Sequence, residues 1–189
     1  MNKLIPAQTA LLAMDFQAGI VSRVPDADAL LQRTAAAIAK VRRAGGHVGY
    51  VRVAFDEADV EALPARNKMS AHVTAAGHAL RSDAPETQID ERIAPQAGDI
   101  VVRKTRVGPF STTDLDRRLR ERGVTTLVLS GIATSGVVLS TVREAADMDY
   151  ELFVLSDATA DFDPDVHRIL IERIFPRQGT VLTSEELEY

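Results

Sequence analysis

The chain has 189 residues, 46% of them hydrophobic, with a formal net charge of -5 and a pI near 5.4. That is enough for one domain with a sizeable core over residues 1–189, and the acidic balance argues against nucleic acid and anionic membranes as partners. Cysteine is absent, which excludes disulfides, thiolate metal sites and a thiol nucleophile, and the polar start MNKLIPAQTA with no long apolar run makes a cytoplasmic protein the expectation.

Apolar runs of strand length alternate with segments of helical period, which predicts an α/β fold: a doubly wound, mostly parallel six-stranded sheet with helices on both faces. The first run is Thr9 to Phe16. Ala27 to Arg43 follows, with Leu30, Leu31, Thr34, Ile38 and Val41 at three-to-four spacing before a Gly45-Gly46 stop, and predicts an amphipathic helix. The second strand is Val48 to Phe55. Residues 56–96 then break the rhythm with Pro64, Pro85 and Pro95, and are expected to form short helices and a loop covering a pocket.

Ile100 to Val102 is the third strand. Thr112 to Arg122, closed by Gly123, is the next helix, with the Ser111-Thr112-Thr113 cluster as its cap. Thr126 to Ser130 is the fourth strand, and Ser135 to Asp149 a helix whose β-branched first turns imply burial on most sides. Leu152 to Leu155 is the fifth strand. Asp163 and Pro164 then suit the cap and first position of a helix, Thr180 to Leu182 makes a weak sixth strand, and Thr183 to Glu186 has capping-box spacing.

In open parallel sheets, ligands bind beyond the carboxyl ends of the strands. Asp15 directly follows LLAM, where an ionised carboxylate needs a partner or a shifted pKa; it is either a site residue or a structural cap. Alternation places Val102 and Lys104 on one side of the third strand and Val101 and Arg103 on the other. Lys104 alone reads equally as a strand-end lysine reaching solvent, but paired with Asp15 each offsets the other's burial. The stretch SGIATSGVVLST puts glycines around a strand-to-helix turn. Such turns aim N–H groups at an anion or oxyanion, or simply connect two elements. His47, His72, His78 and His167 lack the spacing of a metal site, so no metal or cofactor is expected. The arginine runs at Arg42-Arg43 and from Arg117 to Arg122 read as solvated helix faces.

Three stretches, TALLAMDFQ (Thr9 to Gln17), GDIVVRKTRVGPFSTTDLDRRLRERG (Gly98 to Gly123) and LVLSGIATSGVVLSTVREAADMDYELFVLSDATADF (Leu127 to Phe162), resemble the isochorismatase-like superfamily, which includes cysteine hydrolases of small amides. The resemblance spans essentially the whole chain. It implies an Asp-Lys-Cys triad in which Asp15 and Lys104 match and the position of the cysteine falls on Val137. It also implies substrate contacts from Gln17, Arg106, Phe110 and the turn Ala133, Thr134, Ser135 and Gly136, a cis peptide near Ile132 to Thr134, an oxyanion site near Thr134 to Val137, and a homodimer or homotetramer. The nicotinamidase branch is similar in fold but binds metal through histidines that the stretch FDEADVEALPARN lacks.

Valine offers neither nucleophile nor acid, so amide cleavage through a thioester is excluded. The isochorismatases proper also lack the cysteine and cleave a vinyl ether. The resemblance therefore implies a cysteine-independent hydrolase of a small molecule, with Asp15 as general acid, Lys104 and Arg106 holding carboxylates and Gln17 orienting substrate or water. The alternative is a catalytically silent homologue that binds a small acid or serves as an assembly partner.

Overall fold

The computed structural model describes residues 4–189. The order is β1 (Thr9–Met14), α1 (Ala18–Val21), α2 (Ala27–Ala44), β2 (His47–Val53), α3 (Glu57–Glu61), α4 (Lys68–Ala76), β3 (Ile100–Lys104), α5 (Leu115–Arg120), β4 (Thr126–Ile132), α6 (Leu139–Asp147), β5 (Glu151–Ala160), α7 (Pro164–Ile169) and β6 (Thr180–Leu182). The strands form one sheet in the order β3-β2-β1-β4-β5-β6, and every neighbouring pair is parallel. All six expected strands are present.

The period-two alternation of each strand divides its apolar residues between two cores. In β1, Leu11 and Ala13 join Val48, Tyr50 and Val128 under α2, which contributes Leu30, Leu31, Ile38 and Val41. Ala10, Leu12 and Met14 turn the other way, joining Val51, Val102 and Leu129 under α5 and α6, which contribute Leu115, Leu119, Val142 and Ala145. Because both faces are covered, β1 and β4 are buried along their whole lengths, as a parallel sheet requires.

Local chemistry sets the boundaries. Gly45 closes α2 at φ 88° with its N–H on the Arg42 carbonyl, a left-handed stop that costs glycine nothing. The α5 helix is shorter than expected because the Thr113 hydroxyl accepts from Leu115 N–H (3.1 Å) and donates to the Pro109 carbonyl (2.6 Å), holding the chain in a turn until Leu115. The helix after β4 opens with a wider π-type turn, Thr134–Val138, around a non-helical Gly136, and only then becomes α6. Asp163 caps α7 by accepting from Asp165 and Val166 N–H. The β5 strand runs past Leu155 to Ala160, with a register shift against β4 between Leu129 and Gly131.

Residues 56–96 form a roof of α3, α4 and 3₁₀ turns at Gly77–Leu80, Pro85–Thr87 and Glu91–Ile93. Leu63 and Val73, with Val60, Met69 and Leu80, pack with Val53 and Phe55 at the end of β2 in a separate small cluster, while Ile89 and Ile93 join the core under α2. Arg103 braces it from β3, donating to the Ala54 carbonyl (2.9 Å) and to Asp56 (2.8 Å) and pairing with Asp59. Among the described residues no helix is long and apolar enough to cross a membrane.

Candidate active site

The chain runs from β1 outward through β2 to β3 on one side and then crosses back to β4 on the other, so the carboxyl ends of β1 and β4 flank the switch in strand order where open sheets leave a crevice. A cavity of about 420 Å³ lies there, within the range of small-molecule sites, about 300 to 1,000 Å³. Asp15, Gln17, Val53, Phe55, Lys104, Ile132, Ala133, Gly136 and Val137 line it from the sheet, and Met69, His72, Val73, Ala76 and Leu80 from the roof.

Asp15 and Lys104 meet at its base. The Lys104 ammonium lies 2.9 Å from Asp15 Oδ2, and both side chains are almost wholly buried. Lys104 comes from β3, two strands away, and reaches across the end of β2; its ammonium also donates to the Arg106 carbonyl (3.2 Å). Asp15 sits in the left-handed region at φ 58°, its N–H on the Val51 carbonyl (2.8 Å). Aspartate tolerates that conformation better than most residues, and strain of this kind gathers at working sites. Asp15 Oδ1 is buried with no hydrogen-bond partner. Burial pushes the Asp15 carboxyl above the ordinary carboxylate range, outweighing the Lys104 ammonium, whose charge and hydrogen bond pull it down.

The wall from β4 contains a cis peptide between Ile132 and Ala133, inside the stretch where the resemblance places one. The turn after it is held from behind. Ser135 N–H donates to Asp161 (2.7 Å), and the Thr134 hydroxyl lies 2.8 Å from His167 Nδ1. Gly136 and Val138 N–H both donate to the Ala133 carbonyl. Two amides of the expected oxyanion site, those of Ser135 and Gly136, are thus already engaged. Val137 is 2% exposed and forms an apolar part of the wall.

Several expected substrate contacts lie elsewhere or are otherwise engaged. Gln17 lines the cavity, but its amide donates to the Val53 and Thr87 carbonyls (both 2.8 Å) and accepts from Val53 N–H (2.7 Å). Both of its N–H donors are therefore satisfied by backbone, and Gln17 is a strut tying β1 to β2 and the roof. Arg106 is outside the lining because it folds back to donate to the Thr105 carbonyl (2.7 Å). Phe110 stacks on Tyr150 in the core, ring centroids 6.3 Å apart. Thr134 is buried behind the wall and Ser135 is exposed beside it; neither lines the cavity.

The sequence reading missed Arg23, His72, Glu86 and Phe162, all in the lining. For His72 a signal existed: Met69, His72, Val73 and Ala76 follow the i, i+3, i+4, i+7 stripe of one helix face, and Asn67 caps that helix by accepting from Met69 N–H. The others come from turns and bear no periodic mark. Among the described residues no cluster of three histidine or acidic side chains is placed to hold a metal.

Comparison with known proteins identifies the family and the fold. Residues 9–186 match the family model described as the isochorismatase domain. An uncharacterized isochorismatase family protein of Bacillus subtilis strain 168, YwoC, is 35% identical over 179 residues, covering 95% of this chain and 92% of that protein. The ureidoacrylate amidohydrolase RutB of Methylobacterium radiotolerans is 35% identical over 192 residues, covering 90% of this chain and 74% of that one. Among solved structures, an isochorismatase family protein from Burkholderia thailandensis superposes with a TM-score of 0.84 at 33% identity, covering 98% of this chain and 95% of that one. A cysteine hydrolase from Pseudomonas syringae pv. phaseolicola 1448A superposes with a TM-score of 0.88 at 26% identity, covering 98% and 93%. The chain belongs to the isochorismatase family.

Proposed function

We propose that this chain is a cysteine-independent hydrolase of a small molecule, with Asp15 as the general acid and a vinyl ether as the bond cleaved. The observation that carries the reading is the partnerless, buried Oδ1 of Asp15 at the base of the cavity. A carboxyl whose pKa is raised by burial holds its proton to higher pH than an ordinary carboxylic acid, which suits a general acid.

In the first step the Asp15 proton passes to the terminal methylene carbon of the vinyl ether. The π pair forms the new C–H bond and the ether carbon becomes an oxocarbenium ion. Lys104, 2.9 Å from Oδ2, stabilises the carboxylate left behind. Water then adds to the cationic carbon and returns a proton to Asp15, and the hemiacetal or hemiketal expels its alcohol to leave a carbonyl product. Val137 bounds the cavity without entering the chemistry, in accord with the absence of cysteine. The relative named ureidoacrylate amidohydrolase offers amide hydrolysis as a precedent, but a thioester route is closed to this chain for the same reason.

The test is hydrolysis of isochorismate, 4-(vinyloxy)butanoate and butyl vinyl ether, followed by proton NMR with wild type and Asp15→Asn. Turnover of at least one, slowed about 10²-fold or more in the variant, is the expected result. The absence of cysteine also favours a second reading, a silent homologue that binds a small acid or an assembly partner. No turnover of any vinyl ether would replace the first reading with the second, and full activity in Asp15→Asn would reject Asp15 as the acid.

A further inference from the structure

The polar groups around the cavity fall at two depths. At its base, Asp15 and Lys104 are 5% and 2% exposed and engage each other at 2.9 Å, and Gln17 has its amide fixed by the backbone of Val53 and Thr87. Val53, Phe55, Val73, Leu80, Val107 and Val137 make the walls, and none of these side chains offers a hydrogen bond. The remaining charged or titratable groups are Arg23, Glu86 and His72, all exposed.

Of these, only Arg23 is both permanently cationic and held in place. Its backbone N–H donates to the Ile20 carbonyl (3.1 Å), at the turn that follows α1. Its guanidinium lies 4.6 Å from the centroid of the Phe162 ring, another lining residue. Among the described residues no carboxylate comes within 4.0 Å of it. A guanidinium stacked on an aromatic face keeps its N–H edge for a planar anion. Glu86 would repel a second carboxylate at the same mouth.

Resting on the reading that the Asp15 end is the reacting end, we propose that the cavity takes a monoanionic molecule with an apolar body, its carboxylate held by Arg23 at the mouth. The reacting bond then lies at the base and the apolar body spans the wall between. A dianion is a poor fit, since among the described residues the walls carry no second cation and the Lys104 ammonium at the base already commits hydrogen bonds to Asp15 Oδ2 (2.9 Å) and the Arg106 carbonyl (3.2 Å). Among the three vinyl ethers above, this selects 4-(vinyloxy)butanoate.

The subsite is tested by calorimetric titration at pH 7 with three probes that have no hydrolysable bond: 3-phenylpropionate, the neutral 3-phenylpropan-1-ol and the dianion of 3-(4-carboxyphenyl)propionic acid. The monoanion is expected to bind at least tenfold more tightly than either of the others. Arg23→Gln should bring the monoanion to the level of the alcohol and leave alcohol binding within twofold of wild type. The substitution is on the surface, so the variant should retain the wild-type melting temperature to within a few degrees. Equal binding of monoanion and alcohol, tighter binding of the dianion, equal weakening of acid and alcohol in Arg23→Gln, or no binding of any probe would each overturn the proposal. Because the probes are not turned over, the two readings fail separately. Vinyl-ether hydrolysis with no Arg23 effect rejects the subsite alone, and Arg23-dependent binding with no hydrolysis rejects the catalysis alone.

Discussion

Replacing Lys104 with methionine keeps the length and apolar stem of the side chain while removing the charge that faces Asp15. At 2.9 Å, two unit charges in a medium of effective dielectric 20 attract by about 6 kcal/mol. Measured losses on breaking a buried pair run to about 3 to 5 kcal/mol, because the remaining charge is left uncompensated. The Asp15 carboxyl avoids that cost by keeping its proton, so the penalty depends on pH. Its folded pKa already lies above the ordinary value, and burial is the larger cause; without Lys104 it rises further. A raised carboxyl pKa contributes stability that is complete below the unfolded value and is lost as pH rises through the folded value. Relative to wild type, the loss accumulates at about 1.4 kcal/mol per pH unit between the wild-type folded value and the higher one of Lys104→Met. Urea unfolding of wild type, Lys104→Met and the Asp15→Asn/Lys104→Met double variant at both pH values measures this. The single variant should be near wild type at pH 5 and strongly destabilised at pH 8, and the double variant should recover most of the difference. A cost that is the same at both pH values, or below about 1 kcal/mol at pH 8, would refute the view of Asp15 as a desolvated acid restrained by Lys104.

Three further outcomes are expected. Gln17→Leu removes three hydrogen bonds to backbone, taking a side-chain partner from Val53 N–H and the Val53 carbonyl and leaving the Thr87 carbonyl to Arg52 (3.2 Å), so it should cost about 2 to 4 kcal/mol in denaturant titration and speed amide exchange around Thr87. Gly131→Ala places a Cβ 2.9 Å from the Met14 carbonyl oxygen and 3.0 Å from Met14 Cβ; with backbone on the receiving side it should lose about 1 to 3 kcal/mol, seen as a lower melting temperature, with vinyl-ether hydrolysis falling as the end of β1 moves. Val137→Cys changes volume little and should cost under about 1.5 kcal/mol. It puts a thiol in the cavity that holds Asp15 and Lys104, and hydrolysis of a small amide, absent in the parent and followed by NMR, is the expected gain.

The sheet was legible because burial on both faces leaves nearly continuous apolar runs, and Asp15 stands out as the first charge after one of them. Lys104 was legible through alternation: Ile100, Val102 and Lys104 are buried while Val101 is exposed. The far half of β5 was not, because Ser156 and Asp157 look like a strand's end. In the structure the Asp157 carboxylate accepts from both Ser184 N–H and Ser184 hydroxyl (2.7 Å each), which satisfies a polar group within a strand. Gln17 and Arg106 are substrate contacts only in what the family resemblance implies. Sequence position brought Gln17 to the cavity, but only side-chain direction reveals that its amide serves the backbone and that Arg106 turns away. The mouth residues Arg23, Glu86 and Phe162 come from separate turns, whose meeting depends on how the roof seats on the sheet.

The small cluster of Phe55, Leu63 and Val73 gives the roof cohesion of its own, apart from the two cores that sandwich the sheet. Few buried apolar side chains hold the α3–α4 part of this segment, so it is expected to open at a lower free energy than the sheet. Amides of α4 should therefore exchange with solvent through a local excursion that leaves β1 and β4 closed. Traffic into the cavity is then governed by a breathing unit separate from the sheet. Substitutions in that unit can retune entry and exit while the acid at the end of β1 keeps its surroundings.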